Sequence, residues 1–111
     1  MSDSAVDRMT FTFLASCVGD FAQWPQCSIT ALRGNNEGGR LFGVLFKATA
    51  RNPVDRTVFR IVVTKDGEWR VRVIQLSNHV ILDERNAARA AIVSAVNRFT
   101  ELAGMREGCQ S

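Results

Sequence analysis

Runs of β-prone residues separated by very short turns constrain the fold more than any other feature of this sequence. Connections this short join only antiparallel neighbours, because a parallel crossover needs about a dozen residues or more. The sequence therefore predicts a four-stranded antiparallel meander. The predicted strands are Cys27 to Arg33, Leu41 to Ala50, Thr57 to Lys65 and Trp69 to Leu76, and the turn signals between them are Asn35-Asn36 with Gly38-Gly39, Asn52-Pro53 and Asp66-Gly67.

A helix is predicted before the sheet. Val6, Met9, Phe13, Cys17 and Phe21 recur every three or four positions, which places them on one helical face, with Ser4 and Asp7 as a cap pair. The alternative for residues 5–18 is a strand. Residues 10–13 alternate threonine with phenylalanine, and both prefer extended backbone.

A second helix is predicted after the sheet. Asp83 is expected to cap it, Gly104 to end it, and residues 77–79 to connect it to the last strand. Its apolar stripe consists of Ala88, Ala91, Ile92, Ala95, Phe99 and Leu102. The predicted fold class is α+β, with both helices packed on one face of the sheet. The 111 residues, 46% of them hydrophobic, predict one domain over 1–111, with 1–4 and 105–111 frayed.

The turn at Asp66-Gly67 decides which side chains of the last two predicted strands share a face. A two-residue turn would pair Lys65 with Glu68 and bury arginines among aliphatic residues, which is costly for unpaired charges. A three-residue connection, with Gly67 in the left-handed conformation, pairs Lys65 with Trp69. We expect the second register. It places Phe59, Ile61, Val63, Trp69, Val71 and Val73 together on the core face.

The opposite face of the same strands contains the predicted binding residues. Arg60, Arg70 and Arg72 share it with Val62, Thr64 and Ile74, and the second strand adds Lys47 and Thr49 if Phe42, Val44 and Phe46 point to the core. Guanidinium groups on a rigid sheet suit phosphates or carboxylates. A solvated outer face is the competing interpretation, because antiparallel sheets commonly have one polar side.

The glycine-rich segment before the second strand is a further candidate contact loop, through Glu37 and Arg40. It lacks the Gly-Lys-Ser/Thr ending of a phosphate loop. The three cysteines, Cys17, Cys27 and Cys109, are odd in number and have no C-x-x-C spacing, and the only histidine, His79, falls in a predicted connection. We therefore predict no catalytic residue, metal site or cofactor.

The function expected from these features is non-enzymatic binding. No apolar run approaches the ~18 residues of a membrane span, and the cysteines fit a reducing compartment, so a cytoplasmic location is expected. The formal charge of +3 mildly favours an acidic partner. One hypothesis is a protein–protein inhibitor or adaptor acting on a nucleic-acid-handling or other macromolecular complex, as anti-defence proteins of phages and mobile elements or immunity-type proteins do. The alternative is a nucleic-acid-binding module that contacts phosphates through the arginine-bearing face. A ligand carrier that uses the groove between helix and sheet is a third possibility, weakened by few convergent polar groups.

Overall fold

A computed structural model describes the backbone of residues 2–31, 35–37, 40–77 and 79–105, and the side chains of 7–30, 41–77 and 79–105. In chain order, these residues form one helix, six strands and a second helix. Their bounds are α1 Ser2–Phe21, β1 Cys27–Ala31, β2 Asn35–Glu37, β3 Arg40–Arg51, β4 Val58–Asp66, β5 Glu68–Gln75, β6 His79–Arg85 and α2 Arg89–Leu102.

The sheet is antiparallel throughout, in the order β1-β3-β4-β5-β6, and the short β2 pairs only with the start of β3. Both helices pack on the same side: α1 lies over β1 and β3, and α2 lies over β4 and β5. Phe21 of α1 joins the layers, because its ring lies 5.8 Å from those of both Phe46 and Phe99. The fold is therefore a two-layer α+β arrangement with one sheet face left uncovered by the helices.

The predicted register of β4 and β5 is confirmed. Lys65 pairs with Trp69, and Gly67 between the strands has a φ of +80°. The six side chains expected on the core face are all buried. This register keeps every arginine of the two strands out of the core, which is the energetic reason for preferring it.

The predicted count of four strands is wrong, because the structure adds β6 at the edge of the sheet and the short β2, where the sequence predicted a turn at Asn35-Asn36. Asp83, predicted to cap the last helix, lies within β6 and pairs with Arg72. Helix α2 begins later, at Arg89, and its N-cap residue Ala88 makes no side-chain cap hydrogen bond. The run from Val80 to Leu82 was the signal for this strand, since it is β-prone and follows a turn.

Residues 5–18 belong to helix α1, so the predicted helix is confirmed and the strand alternative is wrong, but the buried face of the helix differs from the prediction. Met9 is 54% exposed, whereas Thr10 and Leu14 are completely buried. The helix also begins at Ser2, upstream of the predicted Ser4 cap. Asp7 acts as a tertiary partner instead: it accepts a hydrogen bond from Trp69 Nε1 at 2.8 Å and lies 3.6 Å from Lys65 Nζ.

Gly104 ends α2 as predicted. Its φ is +71°, its N–H donates to the carbonyl of Glu101, and the N–H of Met105 donates to the carbonyl of Thr100. This is the pattern of a Schellman motif. Met105, assigned by the sequence to a frayed tail, is 1% exposed.

Asn52 links the β3–β4 turn to this helix end. Its Nδ2 donates to the carbonyl of Leu102 at 2.7 Å, and its Oδ1 accepts the N–H of Val54 at 2.8 Å. The turn and the end of α2 therefore form one structural unit. Across the part of the chain that the structure describes, neither helix has the length and apolar character needed to cross a membrane.

Candidate functional site: the outer face of the sheet

The side of the sheet opposite the helices is the candidate site, and we call it the outer face. Cross-strand pairing fixes its membership, because residues paired in a ladder point to the same side. Three neighbouring rows form its centre. The first runs Ser28, Thr49, Arg60, Ile74 and Val80, the second Lys47, Val62, Arg72 and Asp83, and the third Val44, Thr64, Arg70 and Arg85.

The three predicted arginines, Arg60, Arg70 and Arg72, therefore lie on one surface together with Lys47. Strand β6, which was not predicted, adds Arg85 as a fifth cation and Asp83 as the only carboxylate of the three rows. Two further acids, Asp66 and Glu68, pair with each other one row beyond, at the hairpin tip. The centre of the outer face thus has an excess of positive charge.

Arg70 is already neutralised within the protein. Its Nε and terminal nitrogen donate to the two carboxylate oxygens of Asp83 at 3.0 and 2.9 Å, a bidentate arrangement across two strands. The hydrogen bond from Arg70 lowers the pKa of the Asp83 carboxyl below its ordinary value, and nearby Arg85 and Arg72 add to the effect. Arg70 consequently stabilises the outer face more than it is available to bind a partner.

Lys47 and Arg72 remain available. Neither forms a side-chain hydrogen bond or an ion pair with any residue that the structure describes, and both are partly exposed. They belong to the same row, with Val62 between them. Arg60 uses only Nε internally, donating to Thr49 Oγ1 at 3.2 Å. Two cations that form no hydrogen bond or ion pair with a described residue thus flank an apolar residue in the middle of the sheet, and the Arg72 charge also acts on Asp83.

Aliphatic side chains are also exposed on this side. Val44 is 42% and Val80 53% exposed within the central rows, and Leu76, beside Val58 at one end, is 43% exposed. Phe42 and Val44 were expected in the core, but Phe42 is half-buried and lies outside the core cluster. The β3–β4 ladder is irregular between Val44 and Phe46, with Leu45 the extra residue, and both Leu45 and Phe46 are buried while Val44 turns outward.

The contact-loop prediction lies largely outside the described residues. Backbone pairing places Glu37 opposite Arg40 in the β2–β3 hairpin, but the side chains of both fall outside the described part. The structure therefore brings together the sheet residues of the predicted site and leaves this loop as a separate prediction.

Groups suited to covalent or metal chemistry are not assembled in the described ranges. Burial, with a smaller contribution from the Asp20 charge, raises the pKa of the Cys17 thiol to about 11, and burial raises that of Cys27 to about 11. Both remain protonated at neutral pH, which makes them poor nucleophiles. Within residues 7–30, 41–77 and 79–105, no three His, Cys, Asp or Glu side chains cluster as metal ligands would.

Comparison with models of protein families, with curated proteins and with solved structures finds no match to this chain.

Proposed function

We propose that this chain is a non-enzymatic binding protein whose outer face docks on an acidic protein surface, in the manner of an inhibitor or adaptor of a macromolecular complex. The observation that carries the proposal is the row Lys47, Val62, Arg72 on the sheet face that neither helix covers. Its two cations form no hydrogen bond or ion pair with any described residue, and they flank an apolar residue. Such a row is complementary to two carboxylates separated by an apolar group.

The size of the face is adequate for a specific complex. The nine residues of β4 extend about 30 Å at ~3.3 Å per residue, and five strands spaced ~4.8 Å apart are about 20 Å wide. The resulting patch of roughly 600 Å² in projection approaches the ~800 Å² that each partner contributes to a standard interface.

The exposed aliphatic residues favour a protein over a nucleic acid as the partner. Val44, Leu76 and Val80 would each bury apolar area against a protein, whereas phosphates make no use of them. Stacking of bases needs aromatic side chains, and the outward residues of β4 and β5 paired in the central rows include none. Phosphate contact without stacking remains the alternative function.

Charge reversal tests the proposal. The variant Lys47→Glu/Arg72→Glu changes the central row, and the matched control Arg56→Glu/Arg98→Glu makes the same charge change at two exposed arginines outside it. A partner recovered from the source cell should bind the wild type and the control alike and bind the Lys47→Glu/Arg72→Glu variant at least tenfold more weakly, as measured with the purified pair. Equal weakening in both variants would show that net charge, and not the central row, governs binding.

Mixed-sequence DNA and RNA provide the second arm of the test. We expect no binding at physiological salt. The nucleic-acid alternative would replace the proposal if binding is salt-sensitive and only the central-row variant abolishes it. The slope of log K against log salt should then fall by about one for each phosphate that a substituted cation no longer neutralises.

A further inference from the structure

A groove on the helical layer, on the opposite side of the molecule from the outer face, has the composition of an anion site. It has a volume of about 390 Å³ and is lined by Arg8, Met9, Thr12, Phe13, Ser16 and Arg89. The charged members of this lining are both cations. The groove therefore combines two guanidinium groups and two hydroxyls with apolar surface.

Arg89 supplies the observation that points to a ligand. Its Nε is buried and has no hydrogen-bond partner in the described part of the chain, while its guanidinium lies over the ring of Phe13 at 5.7 Å. A buried donor without an acceptor is costly, more so when it belongs to a charged group. Arg89 lines the groove, so an anion bound there would compensate the charge of a guanidinium that lacks an acceptor at Nε.

The surroundings of Arg89 reinforce its positive potential. Arg89 is the first residue of α2, whose first turn contains no acidic residue and whose N-cap makes no side-chain hydrogen bond. Arg8 forms no ion pair with any residue that the structure describes. Both arginines line the same groove.

A second groove of about 360 Å³ adjoins this one through Phe13, which lines both. Its lining is mixed: Trp24, Val96 and Met105 are apolar, and Asp20, Gln23, Asn97 and Thr100 are polar. A ligand whose anionic head meets the two arginines would extend its apolar part past Phe13 toward Trp24. An inorganic anion would leave this surface unused, and a neutral hydrocarbon would leave Arg89 unpaired.

We propose that Arg8 and Arg89 bind the carboxylate of a linear aliphatic acid, whose chain lies along the seam between α1 and α2. Each oxygen of the carboxylate accepts from one guanidinium, and Met9, with its flexible thioether, closes over the first methylene groups. The site is independent of the outer face, so either proposal can fail without the other.

Isothermal titration with four probes tests the proposal: decanoate, decanol, acetate and inorganic phosphate. We expect saturable one-to-one binding of decanoate, and binding at least tenfold weaker for the other three. The fluorescence of Trp24 should change on addition of decanoate. If decanol binds as tightly as decanoate, the proposal is wrong, because the arginines then contribute nothing to binding. If phosphate or acetate binds as tightly as decanoate, the proposal is also wrong, because the seam then contributes nothing.

Variants locate the site. Arg8→Gln/Arg89→Gln should weaken decanoate binding at least tenfold, and the matched Arg56→Gln/Arg98→Gln should leave it unchanged. Near-ultraviolet circular dichroism establishes that each variant keeps the native fold, and the single variants Arg8→Gln and Arg89→Gln replace the double one if it does not. Decanoate binding that survives removal of Arg8 and Arg89 but disappears in Lys47→Glu/Arg72→Glu would place the anion on the outer face and refute the groove.

Discussion

Two buried threonines on the core side of the helices offer a sharp test of the packing. Thr10 in α1 is completely buried, and its Oγ1 has no hydrogen-bond partner in the described ranges. Thr100 in α2 is 8% exposed, and its Oγ1 donates to the carbonyl of Asn97 at 2.8 Å. Valine has the same shape as threonine and nearly the same helix propensity, so the substitution to valine changes chiefly the hydroxyl.

The two substitutions should have opposite signs. A buried hydroxyl without a partner costs about 1–3 kcal/mol, so Thr10→Val should raise the free energy of unfolding by about 1–2 kcal/mol. Thr100→Val removes a hydrogen bond worth about 0.5–1.5 kcal/mol and should lower it by about 0.5–1 kcal/mol, because the added methyl offsets part of the effect. At roughly 4 °C per kcal/mol, Thr10→Val should melt about 4–8 °C higher than the wild type.

Urea unfolding followed by tryptophan fluorescence measures both values, since Trp24 and Trp69 lie in different parts of the fold. The m-value should stay constant, so that the shift in midpoint reports stability alone. A Thr10→Val protein no more stable than the wild type would refute the reasoning, because the Thr10 hydroxyl would then have a partner or solvent access in solution.

Three further predictions concern other contacts of the fold. Gly104→Ala should lower the free energy of unfolding by about 1–2 kcal/mol, because φ is +71° and a Cβ would lie 3.0 Å from Pro53 Cδ. Gly19→Ala in α1 should raise the free energy of unfolding by about 0.5–1 kcal/mol, because no atom lies within 4 Å of the new Cβ. Urea unfolding measures both values. A double-mutant cycle with Asp7→Ala and Trp69→Phe, in which unfolding is followed by far-ultraviolet circular dichroism, should give a coupling energy of about 1.5–3 kcal/mol, because the 2.8 Å hydrogen bond has a carboxylate as its acceptor. A coupling energy near zero would contradict this prediction. The folded state lowers the pKa of Asp83, so the stabilising contribution of Asp83 is present above the unfolded pKa of about 3.9 and is lost as the pH falls through the folded value. The melting temperatures of wild type and Asp83→Asn should therefore differ at pH 7 and converge below about pH 4. Melting temperatures that run parallel across this pH range would contradict the prediction.

The register of the central hairpin could be predicted from sequence because one wrong step has a large energetic cost. Shifting β5 by a single residue would exchange Val71 and Val73 for Arg70 and Arg72 on the buried side. The same strong alternation made the core residues of these strands predictable. Where the cost of burying a charge decides between two strand registers, the correct register can be predicted from the sequence.

The prediction was wrong at positions where the incorrect alternative would not bury a charge. The extra residue Leu45 in β3 reverses the alternation. Gly43, two residues earlier, has a φ of +100° and is a sequence signal for a bulge, but a glycine does not indicate which neighbouring residue is the extra one. The buried face of α1 was misassigned because it includes the polar Thr10 and leaves the apolar Met9 exposed. Both are tertiary choices worth a few kcal/mol at most, which local patterns do not resolve.

The absence of β6 from the prediction changed the interpretation of the site itself. Asp83 resembles a helix cap in sequence, since an aspartate before an alanine-rich stripe is a common start signal. As a strand residue it neutralises Arg70, so Arg70 moves from the binding residues to the residues that hold the face together. The predicted arginine cluster therefore offers less uncompensated positive charge to a partner than its number of arginines indicates.

What remains of the cluster sets a geometric requirement on the proposed partner. Lys47 and Arg72 belong to strands on either side of β4, so their backbones lie about 10 Å apart, two strand spacings, with Val62 at the midpoint. A partner that satisfies both cations needs two carboxylates at a similar separation and an apolar side chain between them. Neighbouring acidic residues on a single strand, two positions apart on one face, are only ~7 Å apart and would leave one cation unpaired. Acidic side chains one helical turn apart, about 5.4 Å, fall shorter still, whereas two turns reach about 11 Å. An amphipathic helix with acids at i and i+7 and an aliphatic residue at i+3 or i+4 meets the requirement, and such a helix is the partner chemistry that the central row favours.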